Sequence, residues 1–228
     1  MCPGCGRKPG RRPIYFGQSG PYCDQCAAGP RCPSCGLPVG QRGAASDGRT
    51  MCAACAATAV ASDAEATAVY HAAESALREQ LGLSLNVPTG LILVAPDELA
   101  AILGEMGEDP AGVEALGVET LGVYARRGRR RGIYVARGLP RLLLLQVAAH
   151  ELAHAWQMEN APLLRDSLLR EGFAEWAAYH VLLAVGESEA AERILAREDD
   201  YGRGARLLLD MEKQAGARGV IDWARRAR

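Results

Sequence analysis

The pattern of apolar and polar positions predicts a helix-rich chain after residue 60. Between Ser62 and Leu81 apolar residues recur at helical spacing, and Ser62 with Glu65 forms a capping box that marks the start of the helix. Further helices are predicted over residues 97–104, 140–159, 166–185, 189–197 and 203–214. The basic stretch 220–228 is expected to fray. Helices therefore dominate this part of the chain.

A few short apolar runs predict a small sheet among these helices. Residues 91–95 read as a buried strand, and 108–117 as a loop. Strands at 118–125 and 132–136 flank a turn, which predicts a β-hairpin. The turn holds five arginines, which either bind an acidic partner or form a solvated loop: Arg126, Arg127, Arg129, Arg130 and Arg131. The predicted class is α+β.

The first 55 residues have a different character, because they hold all eight cysteines. These form four Cys-x-x-Cys pairs: Cys2/Cys5, Cys23/Cys26, Cys32/Cys35 and Cys52/Cys55. Such a spacing lets two thiolates from one tight turn reach a single tetrahedral zinc ion. Gly6 and Gly36 directly follow a cysteine, where the turn often needs a positive φ. The segment therefore predicts zinc binding.

The two halves of this segment resemble each other, with 17 and 16 residues between their cysteine pairs. A repeat favours sequential grouping, with the first four cysteines on one zinc ion and the last four on another. A cross-braced arrangement is the competing interpretation. Both zinc ions are expected to be structural, and the module surface is a candidate docking site for a protein partner. The predicted domains are residues 1–60 and 61–228.

Charge and composition exclude several classes of function. The formal net charge is −1, so no global basic surface suggests a nucleic-acid binder. A nucleic-acid-linked zinc ribbon stays an alternative, because four cations lie near Tyr15 and Phe16: Arg7, Lys8, Arg11 and Arg12. No run is long enough to span a membrane, and Met1–Cys5 shows no signal-peptide pattern. A cytoplasmic location is expected, where cysteines serve as metal ligands and not as disulfides.

The predicted helix 140–159 carries His150-Glu151-Leu152-Ala153-His154. The i, i+4 spacing places both imidazoles on one helix face, where they can share one zinc ion. Glu151 then points towards a water at the metal and is the candidate general base. The alternative is two core or surface histidines on an apolar helix.

The next predicted helix supplies a third candidate ligand. Sixteen residues separate His154 from Glu171, so a turn and an antiparallel helix return Glu171 to the metal. Two imidazoles and one carboxylate leave a fourth position open, as catalytic zinc requires. Gly172 is expected to let this helix pack closely beside the metal. Glu175, one turn further on, is expected either to accept the free N–H of a ligand histidine or to lie on the surface.

Glu171-Gly172-Phe173-Ala174 after the His-Glu-x-x-His motif resembles the gluzincin peptidases. A longer series resembles the plant LIM-domain peptidases that limit organ growth and are activated by ubiquitin: Pro30-Arg31-Cys32-x-x-Cys35, Asp47-Gly48-Arg49-x-x-Cys52-x-x-Cys55, Gly138-Leu139-Pro140-Arg141 and His150-Glu151-x-x-His154-Ala155-Trp156. No ubiquitin-interacting helix is evident, and the first cysteine group lacks the histidine of a typical LIM domain. Ubiquitin regulation is therefore not carried over.

The resemblance implies a LIM-like zinc module followed by a minimal gluzincin domain, with one catalytic and two structural zinc ions. It implies that Glu171 is a zinc ligand and that a peptide substrate pairs with an edge strand before the zinc helix. The strand chosen is 118–125, around Leu121, Gly122, Val123 and Tyr124. The candidates for a donor to the oxyanion are Tyr179, His180 and Tyr201.

The sequence therefore predicts a zinc-dependent peptidase that acts as an endopeptidase on protein or peptide substrates. Its N-terminal zinc-finger module is expected to dock the substrate or a partner. The alternative is a catalytically silent zincin that serves as a zinc-finger adaptor. The presence of Glu151 argues against this alternative, because a degenerate enzyme often loses its base first.

Overall fold

The computed structural model describes residues 1–17, 19–41, 43–46, 49–105, 121–127 and 130–227. The chain forms two compact units. The first comprises Met1–Val60 and Gly138–Leu143, and the second comprises Ala61–Arg137 and Leu144–Arg228. The loop expected at 108–117 and residues 118–120 of the expected hairpin lie outside the described residues.

The first unit repeats one small motif. A hairpin of β1 (Ile14–Phe16) and β2 (Ser19–Tyr22) precedes the one-turn helix α1 (Asp24–Ala27). A second hairpin of β3 (Ala44–Ser46) and β4 (Arg49–Met51) precedes α2 (Ala53–Ala56). Each motif packs its cysteines against a few apolar side chains, such as Tyr22 in the first and Met51 in the second. The repeat inferred from the cysteine spacing is thus visible in the structure.

The segment Gly138–Leu143 belongs to the first unit. Backbone hydrogen bonds account for this. The N–H of Val60 donates to the carbonyl of Leu139 at 2.9 Å, and the N–H of Arg141 donates to the carbonyl of Thr58 at 3.0 Å. The first unit is therefore built from two separate stretches of chain.

After Val60 the structure describes six helices: α3 (Asp63–Leu81), α4 (Pro96–Glu105), α5 (Arg141–Asn160), α6 (Ser167–Ala184), α7 (Ser188–Leu195) and α8 (Asp200–Arg226). The capping box at Ser62 is formed, and Gly82 ends α3. Asp166 caps α6 by accepting from the N–H of Leu169 at 3.0 Å. Local capping chemistry therefore fixes both ends of α3 and the beginning of α6.

The sheet of this unit has three described strands in the order β5-β7-β6. The strands are β5 (Gly90–Val94), β6 (Gly122–Arg127) and β7 (Arg130–Ala136). The hairpin of β6 and β7 is antiparallel, as predicted, and β5 runs parallel to β7. Among the described strands, β6 lies at an edge. With its helices and this small sheet, the fold is α+β.

The last helix corrects the expectation that residues 220–228 fray. The helix α8 continues to Arg226 after a break at Gly216, whose φ is 70°. Val220 and Ala224 have no exposed surface, because the apolar positions among the arginines recur at helical spacing and face the core. Burial of such side chains stabilises a helix end by about 1–3 kcal/mol each.

The helix α6 forms the centre of the second unit. Phe173, Trp176 and Val181 have no exposed surface, and the ring of Trp156 on α5 stacks on Phe173 with centroids 5.3 Å apart. A Cβ added to Gly172 would lie 2.5 Å from the Cα of Gly204 on α8. The two helix backbones therefore touch, so the close packing expected of Gly172 is made with α8.

In the part of the chain that the structure describes, no helix combines the length and the apolar content needed to cross a membrane.

Candidate metal centre

Three side chains from α5 and α6 converge on one point. The Nε2 atoms of His150 and His154 are 3.0 Å apart. The Oε2 atom of Glu171 lies 3.1 Å from Nε2 of His154 and 3.3 Å from Nε2 of His150. The helical spacing of the two histidines and the return of the chain through α6 thus produce a nearly equilateral triangle of ligand atoms.

This triangle fits a zinc ion. In tetrahedral coordination with bonds of 2.0–2.1 Å, neighbouring ligand atoms are about 3.3 Å apart. The observed separations of 3.0–3.3 Å approach that value. Because the donors are two imidazoles and one carboxylate, the set is the kind that leaves a position for water or substrate.

The charges around the triangle favour a cation. Burial lowers the pKa of His150, but the hydrogen bond to Glu171 and the charges of Glu175 and Glu151 outweigh it and raise that pKa to about 9. Burial also raises the pKa of the Glu171 carboxyl, but its hydrogen bonds with His150 and His154 hold it well below the usual range. The surroundings therefore stabilise positive charge between these side chains.

Glu151 lies beside the triangle and is held by the sheet. The backbone N–H of Tyr124 on β6 donates to its Oε2 atom at 2.7 Å. Glu151 is 7% exposed, so this contact lies in a largely water-excluded place. One carboxylate oxygen is thereby fixed, and the other is left for a reacting group.

Gln157 fixes the orientation of His154, a role that the sequence reading missed. The Nδ1–H of His154 donates to Oε1 of Gln157 at 2.7 Å, and Nε2 of Gln157 donates to the carbonyl of Arg170 at 2.9 Å. This arrangement leaves the lone pair of His154 Nε2 directed at the triangle. The i, i+3 spacing of His154 and Gln157 on one helix was the available signal.

Gln157→Leu is expected to lower the affinity of the centre for zinc about 10- to 100-fold, because His154 loses the acceptor that sets its tautomer. Competition titration with a zinc chelator measures this. Gln146→Leu, on the same helix but outside the cavity wall formed by described residues, is the matched control. Equal affinities for the two variants would show that Gln157 does not orient the ligand.

Glu175 faces the other ligand histidine. Its Oε1 atom lies 3.6 Å from Nδ1 of His150, which is too long for a hydrogen bond and makes the contact electrostatic. The same carboxylate accepts from Arg197 at 3.1 Å, and Arg197 also pairs with Asp199 at 2.7 Å. Glu175 is therefore buried at the centre and not on the surface. No sequence pattern points to Arg197, which lies 22 residues from Glu175.

The structure brings one of the three candidate oxyanion donors to the centre. Tyr201 lines the cavity around the ligands, and its ring centroid lies 5.8 Å from that of His150. Burial and the charge of Glu171 raise the pKa of Tyr201, so its phenol keeps its proton. Tyr201 is therefore placed as a donor beside the ligands.

Tyr179 and His180 are not among the described residues that line this cavity. They follow Glu171 by two helical turns, which at 1.5 Å per residue is about 12 Å along α6. His180 instead contacts Glu212 at 2.9 Å, together with the indole N–H of Trp176. The distance along the helix is the physical reason that these two candidates are not at the metal ligands.

The ligands open into a cavity of about 740 Å³. Gly122, Val123 and Tyr124 of the predicted substrate strand line it, and Leu121 immediately precedes the strand. The N–H of Ala136 donates to the carbonyl of Leu121. Because antiparallel pairing alternates, the backbone groups of Gly122 and Tyr124 face away from β7. The side of β6 that passes the ligands is thus its unpaired side among the described strands.

The cysteines of the first unit form two further candidate metal sites, grouped sequentially and not cross-braced: Cys2, Cys5, Cys23 and Cys26; Cys32, Cys35, Cys52 and Cys55. The Sγ atoms of Cys5 and Cys23 are 3.9 Å apart, and those of Cys35 and Cys52 are 3.6 Å apart. Zinc–sulfur bonds of 2.3 Å in a tetrahedron place sulfurs about 3.8 Å apart, so both groups fit zinc. All eight cysteines are free of disulfides.

The turns within these groups take the backbone form expected from sequence. Gly6 and Gly36 have φ values of 74° and 71°. In this left-handed region glycine is favoured, because other residues would place a Cβ against the neighbouring carbonyl.

Phe16 is one of the two aromatic residues near the four N-terminal cations. Its ring packs edge-on against Tyr22 and beneath Arg31, so it is used inside the first unit.

Comparison with known proteins gives one relative. The chain is similar to Protein DA1-related 2 of Arabidopsis thaliana, with 28% identity over 160 residues. The match covers 58% of this chain and only 30% of that protein's length. No family model matches the sequence, and no solved structure matches it. The chain therefore has a distant and partial likeness to this relative, whose name fits the resemblance inferred from the motifs.

Proposed function

We propose that this chain is a zinc-dependent peptidase of the gluzincin type. The observation that carries the proposal is the triangle of His150, His154 and Glu171, with Glu151 beside it and the unpaired side of β6 along it. The distant likeness to DA1-related 2 fits the same class. Two imidazoles and one carboxylate with a neighbouring glutamate form the combination that peptide hydrolysis at zinc uses.

Zinc bound by these three residues would lower the pKa of a water and polarise the scissile carbonyl. Glu151 accepts the proton of the attacking water and delivers it to the leaving amine. The hydrogen bond of 2.7 Å from Tyr124 holds the carboxylate in position for both transfers. Glu151 therefore acts as base and then as acid without changing its place.

Tyr201 donates its phenolic proton in a hydrogen bond to the oxyanion that forms at the scissile carbonyl. Its raised pKa keeps this donor protonated at neutral pH. The guanidinium of Arg197 lies 4.6 Å from the centre of the Tyr201 ring and is itself anchored by Glu175 and Asp199. Arg197, which is held by Glu175 and Asp199, thus supports the position of Tyr201 beside the ligands.

An extended peptide binds by adding a strand to the unpaired side of β6. The N–H of Tyr124 is engaged by Glu151, so the remaining backbone groups of Gly122 and Tyr124 pair with the substrate. The first unit holds two structural zinc ions in its cysteine groups and docks a protein partner or substrate. A cavity that reaches past the ligands on both sides favours cleavage within a chain.

A zinc count tests whether the centre is assembled. Wild-type protein is expected to hold about three zinc ions per chain, two on the cysteine groups and one on the triangle. His154→Ala and Glu171→Ala are each expected to hold about two, because three ligands are needed to retain the third ion. Elemental analysis of purified protein after addition and removal of excess zinc gives these numbers.

His71→Ala is the control for this count, since His71 is an exposed histidine on α3 that contacts Glu74 and the ring of Tyr70. It is expected to keep all three ions. About two ions per chain in every protein, wild type included, would show that the triangle holds no zinc. The adaptor alternative would then replace the peptidase.

A further inference from the structure

The cavity has a direction that can be followed along α5. A Cβ on Gly122 would touch Val147, the N–H of Tyr124 bonds to Glu151, and Arg131 of β7 reaches Glu159. The partners on α5, which are Val147, Glu151 and Glu159, follow one another along the helix in the same order. The strand β6 and the helix α5 therefore run in the same sense.

The end of the cavity beyond His154 is basic. Of the residues that the structure describes, three arginines line it: Arg131, Arg165 and Arg170. Arg170 is already bound to Glu171 at 2.9 Å. Arg131 lies 3.5 Å from Glu159, whose carboxylate also accepts the N–H groups of Asn86 and Val87 at 2.7 and 3.0 Å. Glu159 is thus shared, and neutralises Arg131 only in part.

Arg165 is exposed and makes no ion pair or hydrogen bond with another described residue. It follows α5 on the loop that leads to α6, beside the buried Leu164. Among the described cations at this end of the cavity, its guanidinium is therefore the one best placed to meet a charged ligand.

Two of the three carboxylates on the described part of the cavity wall belong to the metal centre. Glu151 and Glu171 are committed to the metal centre, and Glu105 ends α4, which packs on the face of the sheet that carries Val123 and Ala125. Among described wall residues the arginines and glutamates are equal in number, so a bound divalent cation makes the cavity net positive. The surplus charge favours an anionic substrate.

The direction of β6 assigns the basic end to one side of the substrate. Antiparallel strand pairs are commoner than parallel ones, and β6 already pairs in this way with β7. A peptide antiparallel to β6 starts at the end near Arg131 and leaves past Gly122. Residues before the scissile bond therefore pass Arg131 and Arg165.

We propose that the peptidase prefers peptides with acidic side chains on the N-terminal side of the scissile bond, and that Arg165 is a specificity-determining residue. This inference rests on the proposed function and names its substrate class. The expected selectivity is modest for each charge, because the arginines are partly solvated and screened by salt.

Binding to the zinc-loaded Glu151→Gln protein tests this preference without depending on turnover. Three fluorescent peptides share one sequence except at two positions, one before and one after the central bond. The first peptide has Glu before the bond and Gln after it, the second has Gln before and Glu after, and the third has Gln at both positions. The first peptide is expected to bind about fivefold or more tightly than the other two. Arg165→Gln is expected to reduce that ratio about two- to fivefold. Arg78→Gln, which removes the same charge from an exposed position on α3, is the control and is expected to leave the ratio of affinities unchanged.

Equal affinity for all three peptides would overturn the charge preference and leave the peptidase intact. Tighter binding of the peptide with Glu after the bond would overturn the assignment of the basic end. A ratio unchanged by Arg165→Gln would remove Arg165 from the proposal. Failure of all three peptides to bind, together with a wild type that cleaves none of them, would count against the proposed function itself.

Discussion

Glu151→Gln is expected to lower peptide cleavage by about 10²- to 10⁴-fold while the zinc content stays at the wild-type value. Glutamine has nearly the same shape, and its side-chain oxygen can still accept from the N–H of Tyr124, so the local geometry is retained. It cannot take a proton from the attacking water. Loss of activity therefore reports the loss of proton transfer and not of the fold.

A mixture of unstructured peptides provides the substrate for this test, with new termini counted by mass spectrometry. Glu79→Gln is the control, since Glu79 is exposed on α3 and contacts Arg78 at 3.8 Å. It is expected to cleave like the wild type. If Glu151→Gln cleaves at the wild-type rate, another group is the base. If the zinc-loaded wild type cleaves nothing in the mixture, the adaptor alternative gains ground.

Gly172→Ala is expected to destabilise the second unit by about 3 kcal/mol or more. The added Cβ would lie 2.5 Å from the backbone of Gly204, and backbone cannot move aside as a flexible side chain can. Separating α6 from α8 would also displace Glu171 from Tyr201, so zinc binding at the triangle should weaken. Chemical denaturation followed by tryptophan fluorescence measures the first effect.

Gly104→Ala is the matched control for this change. Gly104 lies in α4, and a Cβ there meets nothing within 4 Å. Alanine is the better helix former, so this variant is expected to be unchanged or more stable by up to about 1 kcal/mol. A Gly172→Ala protein as stable as Gly104→Ala would show that the α6–α8 crossing tolerates greater separation.

Much of the metal centre was predictable, because its geometry is local or nearly so. The spacing of His150 and His154 fixes their common helix face, and a short turn returns Glu171 to them. The sequential grouping of the cysteines followed in the same way from the repeat. Each of these inferences needed only helical geometry, turn length and ligand chemistry.

The groups around the ligands were harder to predict, because tertiary packing places them. Tyr201 reaches the site through the crossing of α6 and α8, whereas Tyr179 is nearer in sequence to Glu171 but lies further along the same helix. Arg197 meets Glu175 across 22 residues of chain with no periodic signal. The burial of Val220 likewise depends on the packing of α8 and was hidden by its basic neighbours.

The sequential grouping of the cysteines has a consequence for the order of events during synthesis. The first group is complete once Cys26 has left the ribosome, and the second once Cys55 has done so. Because metal binding supplies folding free energy to such small modules, each cysteine group can bind its own ion before residues 138–143, which complete the first unit, are made. A cross-braced module would have to wait for its last cysteine. The three candidate metal sites are therefore completed in three separate steps, and the His150–His154–Glu171 triangle is the last of them.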